Sequence, residues 1–153
     1  MGGDFGRPPT KGWATMAPEL LVTDISVSTA FWCGGLGFTV AYQRPEQSFV
    51  YLERPEGTQV MLCQRSGAWE TAPLEPPFGR GVMFQIYVES LHPIEEAVAA
   101  RGLALYAGPG EVWRRTGNRE SGSKEIFVQD PDGYLIMLAQ RLGERGLGGE
   151  AHP

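Results

Sequence analysis

Two 16-residue stretches of this chain are versions of one another, and that repeat limits the fold more than any other feature. Residues 50–65 read VYLERPEGTQVMLCQR and residues 126–141 read IFVQDPDGYLIMLAQR. They align without a gap at an offset of 76, and six of 16 positions are identical, among them Pro55 with Pro131 and Gly57 with Gly133. Each copy has the pattern of a β-hairpin: an apolar strand, a Pro-x-Gly turn, and a second apolar strand. Proline presets φ in such a turn, and glycine takes the positive φ that other residues avoid.

The order upstream of each hairpin repeats as well. A strand over 18–22 has its counterpart over 82–88. Each is followed by an acidic residue (Asp24, Glu89) and a serine (Ser26, Ser90) able to cap a helix. Helical spacing follows, weakly around Ala30, Phe31 and Leu36 and clearly at Leu91, Ile94, Ala97 and Val98. Gly37 and Gly102 stand at the expected helix stops, and strands over 38–43 and 103–106 come next. Each half therefore reads strand–helix–strand–strand–strand. Residues 16–65 form the first module and 82–141 the second. Residues 66–81, with three prolines and three glycines, are a linker. Residues 1–15 and 142–153 lack hydrophobic period and read as flexible tails. A half of this size is marginal alone, so the two must pack together, in one chain or between chains.

Composition narrows the function. The 13 basic and 18 acidic residues give a net charge of −5, which argues against nucleic acid and is compatible with a cationic ligand. No apolar run is long enough to span a membrane, and the N-terminus has no secretory pattern. The two cysteines, Cys33 and Cys63, fit a reducing, cytoplasmic setting rather than a disulfide scaffold. His92 and His152 are the two histidines, so neither a Ser–His nor a Cys–His pair stands out, and no catalytic residue is assigned.

Asp24-Ile25, Phe31-Trp32 and Leu36-Gly37-Phe38 before the first hairpin, with Gln129-Asp130-Pro131-Asp132-Gly133-Tyr134 in the second, resemble the vicinal-oxygen-chelate superfamily of glyoxalases, extradiol dioxygenases and bleomycin resistance proteins. The likeness is greatest to the bleomycin resistance type. It implies an α+β fold of two βαβββ modules whose cupped, barrel-like sheet surrounds a cavity, and a homodimer. Metal-using members carry His or Gln on the first strand of each module and Glu on the last. The matching positions here are Ala17 and Met83, then Met61 and Met137, which is no metal-binding set. Neither a metal nor another cofactor is expected.

What remains is soft and aromatic. Alternation along the strands groups Phe49 with Tyr51, Met61 with Cys63, and Met83 with Gln85 on faces suited to a ligand, and Phe127 and Met137 are assigned to the site as their counterparts in the second half. Phe49 matches an aromatic stacking position of bleomycin-sequestering members. Methionine adapts to irregular partners, although Met61 and Met137 read equally well as core. Trp69 and Trp113 are loop or edge aromatics that suit a lid, and Trp113 is assigned to the site. Bleomycin binders have an aromatic–Gly-Arg-Glu segment before the last hairpin, whereas this chain reads ESGSKE over 120–125. The reading is a metal-free protein that sequesters an aromatic or cationic small molecule. The alternative is a glyoxalase-fold lyase or isomerase acting on a small oxygenated substrate through Glu19, Gln85 or Glu125.

Overall fold

The structure, a computed structural model, describes residues 4–147 and 151–152. These described residues divide into two units, residues 4–80 with 130–134 and residues 81–129 with those from 135 onward. The fold is α+β, with two five-stranded sheets and few helices.

In the first unit, β1 (Phe5–Gly6) precedes β2 (Glu19–Val22), α1 (Ile25–Ala30), β3 (Thr39–Arg44), β4 (Phe49–Glu53) and β5 (Gln59–Gln64). The sheet order is β1-β3-β4-β5-β2, antiparallel except for the parallel β2–β5 pair. Asp24, not Ser26, caps α1: its carboxylate accepts from the N–H groups of Ser26 and Val27. The helix relaxes into a π turn over Phe31–Gly35 and stops at Gly37, whose φ is 74°. Leu52, Leu62, Trp32 and Leu36 are fully buried, and the Trp32 ring meets Phe38 edge-on at 5.3 Å. The aliphatic residues of β4 and β5 thus form the core beneath the helix.

The second unit repeats the plan. Its elements are β6 (Met83–Tyr87), α2 (His92–Ala100), β7 (Ala107–Thr116), β8 (Arg119–Gln129), β9 (Leu135–Gly146) and β10 (Ala151–His152). Again the first strand runs parallel to the last, β6 beside β9. Pro93 enters α2 in its first turn, and Gly102 ends it at φ 66°. The middle strand departs from expectation: it occupies 107–116, not 103–106. Most of its residues are exposed on both faces, so no apolar alternation marks it. A turn at Gly117-Asn118, with Gly117 at φ 64°, joins it to a longer β8.

Both expected tails also differ. Described residues 4–14 form an arm: β1 pairs with β3, Thr10 bonds Glu53, and Ala14 and Gly12 bond Gln59. These partners lie about 40 residues away, beyond the reach of local patterning. At the other end β9 continues to Gly146 because the long β8 supplies a partner throughout, with Arg145 on Glu120 at 2.7 Å. Residues 148–150 and 153 lie outside the described residues. The linker holds no helix or strand, yet Phe78 within it is buried against Tyr134 at 6.1 Å.

Candidate functional site

Alternation sends Tyr51 and Phe49 of β4 away from α1, together with Met61 and Cys63 of β5. Register makes these direct neighbours, Tyr51 beside Met61 and Phe49 beside Cys63. Tyr42 of β3 extends the row, stacked on Tyr51 at 4.9 Å between centroids. Four of these residues are among those the sequence reading assigned to a ligand, but Phe49 and Tyr51 are only 5 % and 4 % exposed.

Two things cover them. The Arg44 guanidinium lies 4.8 Å from the Phe49 ring centre. The N-terminal arm lays Trp13 edge-on against Tyr42 and Tyr51, at 5.9 and 5.4 Å. Gln59 secures the arm: its amide nitrogen donates to Gly12 O at 2.6 Å, and its oxygen accepts from Ala14 N and the Tyr51 hydroxyl. Glu53 accepts from Thr10 N, from its hydroxyl and from Arg7. Burial pushes the Glu53 carboxyl up, but those donors together hold it below its ordinary value. Phe49 and Tyr51 are therefore core beneath the arm rather than an open wall. What stays accessible on this side of the unit is the stretch past Glu19, Leu21 and Cys63 toward Trp69. Cys63 is half-buried, and burial with the nearby Glu19 charge raises its pKa, so it stays a thiol.

In the second unit Gln85 pairs with Met137, which pairs in turn with Phe127. Met83, two residues back, stands beside Leu135. Met137 is buried, while Met83 and Tyr87 are 46 % and 40 % exposed. Gln85 donates to the Tyr87 hydroxyl at 3.0 Å, and Arg141 stacks 4.0 Å from the Tyr87 ring centre. Glu125 is buried, locked by two bonds from Arg114 and one from Ser123. Arg114 is the main reason its carboxyl lies below its ordinary value.

Trp113 does not join this group. It pairs with Gly122, so alternation places it on the face from which Lys124 reaches Glu95 of α2. Its ring stands 4.1 Å from the Arg145 guanidinium and so close to Gly122 that a Cβ there would be 2.7 Å from it. It lies across the sheet face over β8 toward β9, and no lid is formed by it within this unit.

The strand registers also refine the metal comparison. The neighbours of the last-strand methionines are Glu19, beside Met61, and Gln85, beside Met137, two residues beyond the sequence match. Within each unit a thioether thus stands beside a single oxygen donor, a poor set for a hard divalent ion, which prefers several oxygen or imidazole ligands. Among the described residues no three His, Cys, Asp or Glu gather closely enough to hold a metal.

Residues 13–138 match the family model of the Glyoxalase/Bleomycin resistance protein/Dioxygenase superfamily. The chain belongs to that superfamily. Among curated proteins it is similar to virulence protein STM3117 of Salmonella typhimurium, 27 % identical over 123 residues and 79 % of each chain. The crystal structure of that protein matches with a TM-score of 0.58 at 23 % identity, over 81 % of this chain and 93 % of that one. A superfamily member from Nocardioides matches at 0.55 and 25 % identity, over 93 % and 89 %. Lactoylglutathione lyase from Agrobacterium tumefaciens matches at 0.52 and 20 % identity, over 88 % and 96 %.

Two of the residues that could serve acid–base chemistry are poorly placed for it. Glu125 is fixed as an ion by its arginine, so it is poorly matched to shuttle a proton near neutrality. His92 is exposed at the start of α2, 3.4 Å from Glu96. Sequence reasoning missed Trp13, Gln59 and Glu53 as the arm's fastening, and no motif announces them.

Proposed function

We propose that this superfamily member is a metal-free small-molecule binding protein of the bleomycin-resistance type, which sequesters an aromatic or cationic ligand and breaks no bond in it. The observation that carries the reading is the pair at the first strand of each unit taken by itself: Glu19 beside Met61, and Gln85 beside Met137. Polarising an oxygenated substrate through a metal needs several oxygen or imidazole ligands around one ion, and each pair offers one. The groups that stay accessible, such as the Met83 thioether, the Tyr87 ring and the Trp69 indole, instead suit soft, flat ligands. The net charge of −5 favours a cation among them. Relatives bear names as different as virulence protein and lactoylglutathione lyase, so the choice rests on this chain's residues rather than on the fold.

On the same reading the protein acts in the cytoplasm as an antibiotic-resistance factor and works as a homodimer in which the site residues of two chains complete each cavity. Light scattering after size exclusion should return twice the chain mass. The binding test is calorimetry of chelator-treated protein against cationic glycopeptides and flat aromatic drugs, with the ligand recovered and weighed by mass spectrometry. Micromolar binding with the ligand recovered unchanged is expected. Turnover of a small oxygenated compound would favour the lyase or isomerase, and no binding across the panel would remove the sequestration reading.

A further inference from the structure

In the first unit, the loop after β5 holds one residue in a conformation its side chain does not favour. Trp69 has φ 63°, in the left-handed region, and is 80 % exposed. A bulky residue is rare there, and the surrounding structure must impose it. The next residue is tied across the same turn. The Glu70 carboxylate accepts from Arg65 Nε at 3.1 Å, Arg65 Nη2 at 2.9 Å and Gly67 N at 3.3 Å. Arg65 is fixed in turn by its N–H to Val22 O and by its guanidinium near the Phe78 ring. Beside this built frame an indole stands in solvent, where burial would have been the favourable outcome.

The indole borders two hollows. One, of about 570 Å³, also meets Glu19, Leu21 and Tyr134. The other, of about 380 Å³, also meets Leu21, Cys63 and Glu46. Leu21 and Trp69 line both, so the two hollows adjoin as a groove beside the indole. The floor is firm, because the Tyr134 hydroxyl donates to Leu21 O at 2.9 Å. Each hollow has a carboxylate on its wall, Glu19 in the first and Glu46 in the second, while Arg65 spends its charge on Glu70.

We infer that the groove beside Trp69 binds a flat aromatic cation, with the ring against the indole and Leu21 and the charge toward Glu19 or Glu46. This rests on the sequestration reading above and names its ligand class and its aromatic wall. An indole is the strongest aromatic partner for a cation, and the two acidic walls are complementary to that charge. Open carboxylates make the attraction sensitive to salt.

The test uses proflavine, a flat aromatic cation, and 1-pyrenesulfonate, a flat anion, titrated by fluorescence against the full chain. Wild type should bind proflavine and take up the anion far more weakly. Trp69→Ala should weaken proflavine binding about tenfold or more, the usual cost of removing a stacking anchor. The pair Glu19→Gln with Glu46→Gln should weaken it less and flatten its salt dependence. Both variants should keep the wild-type melting temperature and solution mass, since the three side chains are exposed. Proflavine binding unchanged in Trp69→Ala, preference for the anion, or no proflavine binding by wild type would each overturn the inference. A fall in solution mass on Trp69→Ala would also overturn it, by making the indole a protein contact. Binding of other panel drugs in any of those cases would leave the sequestration reading standing.

Discussion

The two Pro-x-Gly hairpin turns descend from one sequence pattern but do different work. The turn at Pro55-Glu56-Gly57 lies at the surface: Arg54 bonds its own neighbour Glu56, and a Cβ on Gly57 would meet nothing within 4 Å. The turn at Pro131-Asp132-Gly133 is packed into the first unit. Asp130, aligned with Arg54, is 5 % exposed and accepts from Trp32 Nε1, Asp132 N and Tyr134 N. Asp132 accepts from Thr23 N, and a Cβ on Gly133 would come 2.5 Å from Pro77 Cβ. One pattern thus serves once as a chain reversal and once as an anchor, with the difference set by the residues around it.

Substitutions at matched positions should expose that difference. Gly133→Ala meets both a φ of 96° and backbone atoms of Pro77, so urea unfolding should show a loss of about 3 kcal/mol or more. Gly57→Ala, at φ 105° but in open space, should lose only about 1 kcal/mol. Equal losses would mean that the second turn is no anchor.

The aligned pair Asp130 and Arg54 gives the next contrast. Asp130→Ala strands the buried indole N–H and two backbone donors, for an expected loss of about 2–3 kcal/mol by chemical denaturation. Arg54→Ala gives up bonds to Glu56 and to Leu36 O and should cost about 1 kcal/mol.

The sheets differ in the same way. In the first unit the row of Tyr42, Phe49 and Tyr51 is closed by the arm, whereas in the second Met83, Gln85 and Tyr87 remain open. Glu53, which holds the arm, and Glu125, which holds Arg114, both have lowered folded-state pKa values. Their stabilisation is therefore present above the unfolded carboxylate value and is lost as pH falls through the folded value. Asp130 has the opposite sign. Burial leads in raising its pKa, so its contribution is full below the unfolded value and declines as pH rises through the folded one. Melting temperature followed from pH 7 to 3 should fall on the acid side. Glu53→Gln should flatten that fall and loosen the arm, giving a new protease cut within residues 4–14. An unchanged acid limb would separate the arm from Glu53.

Much of this was legible because it is written in local patterns. The repeated hairpins, the helix stops at Gly37 and Gly102, and the grouping of Phe49 with Tyr51 follow from alternation and turn chemistry. The arm was not legible, because Gln59 and Glu53 are ordinary polar strand residues until a distant segment is laid across them. Trp113 misled because the side of a strand it takes depends on register, which its polar neighbours do not reveal. Trp69 was legible as a loop aromatic but not as a strained one, since nothing in the sequence marks a left-handed φ at a bulky residue.

The smallest effect expected is at that residue. Trp69→Gly relieves the left-handed backbone but also loosens the unfolded chain, so stability should change by no more than about 1 kcal/mol. A loss well beyond that would make the indole structural.

The central claim is that the site works without a metal. Its most direct test is calorimetry of the chelator-treated full chain with proflavine, before and after Mn²⁺, Ni²⁺, Fe²⁺ or Zn²⁺ is restored, with elemental analysis of the untreated protein alongside. The account predicts no stoichiometric metal in the protein as purified, and the same affinity in both titrations. One tightly held ion per chain, or binding or turnover that appears only when metal is returned, would contradict it.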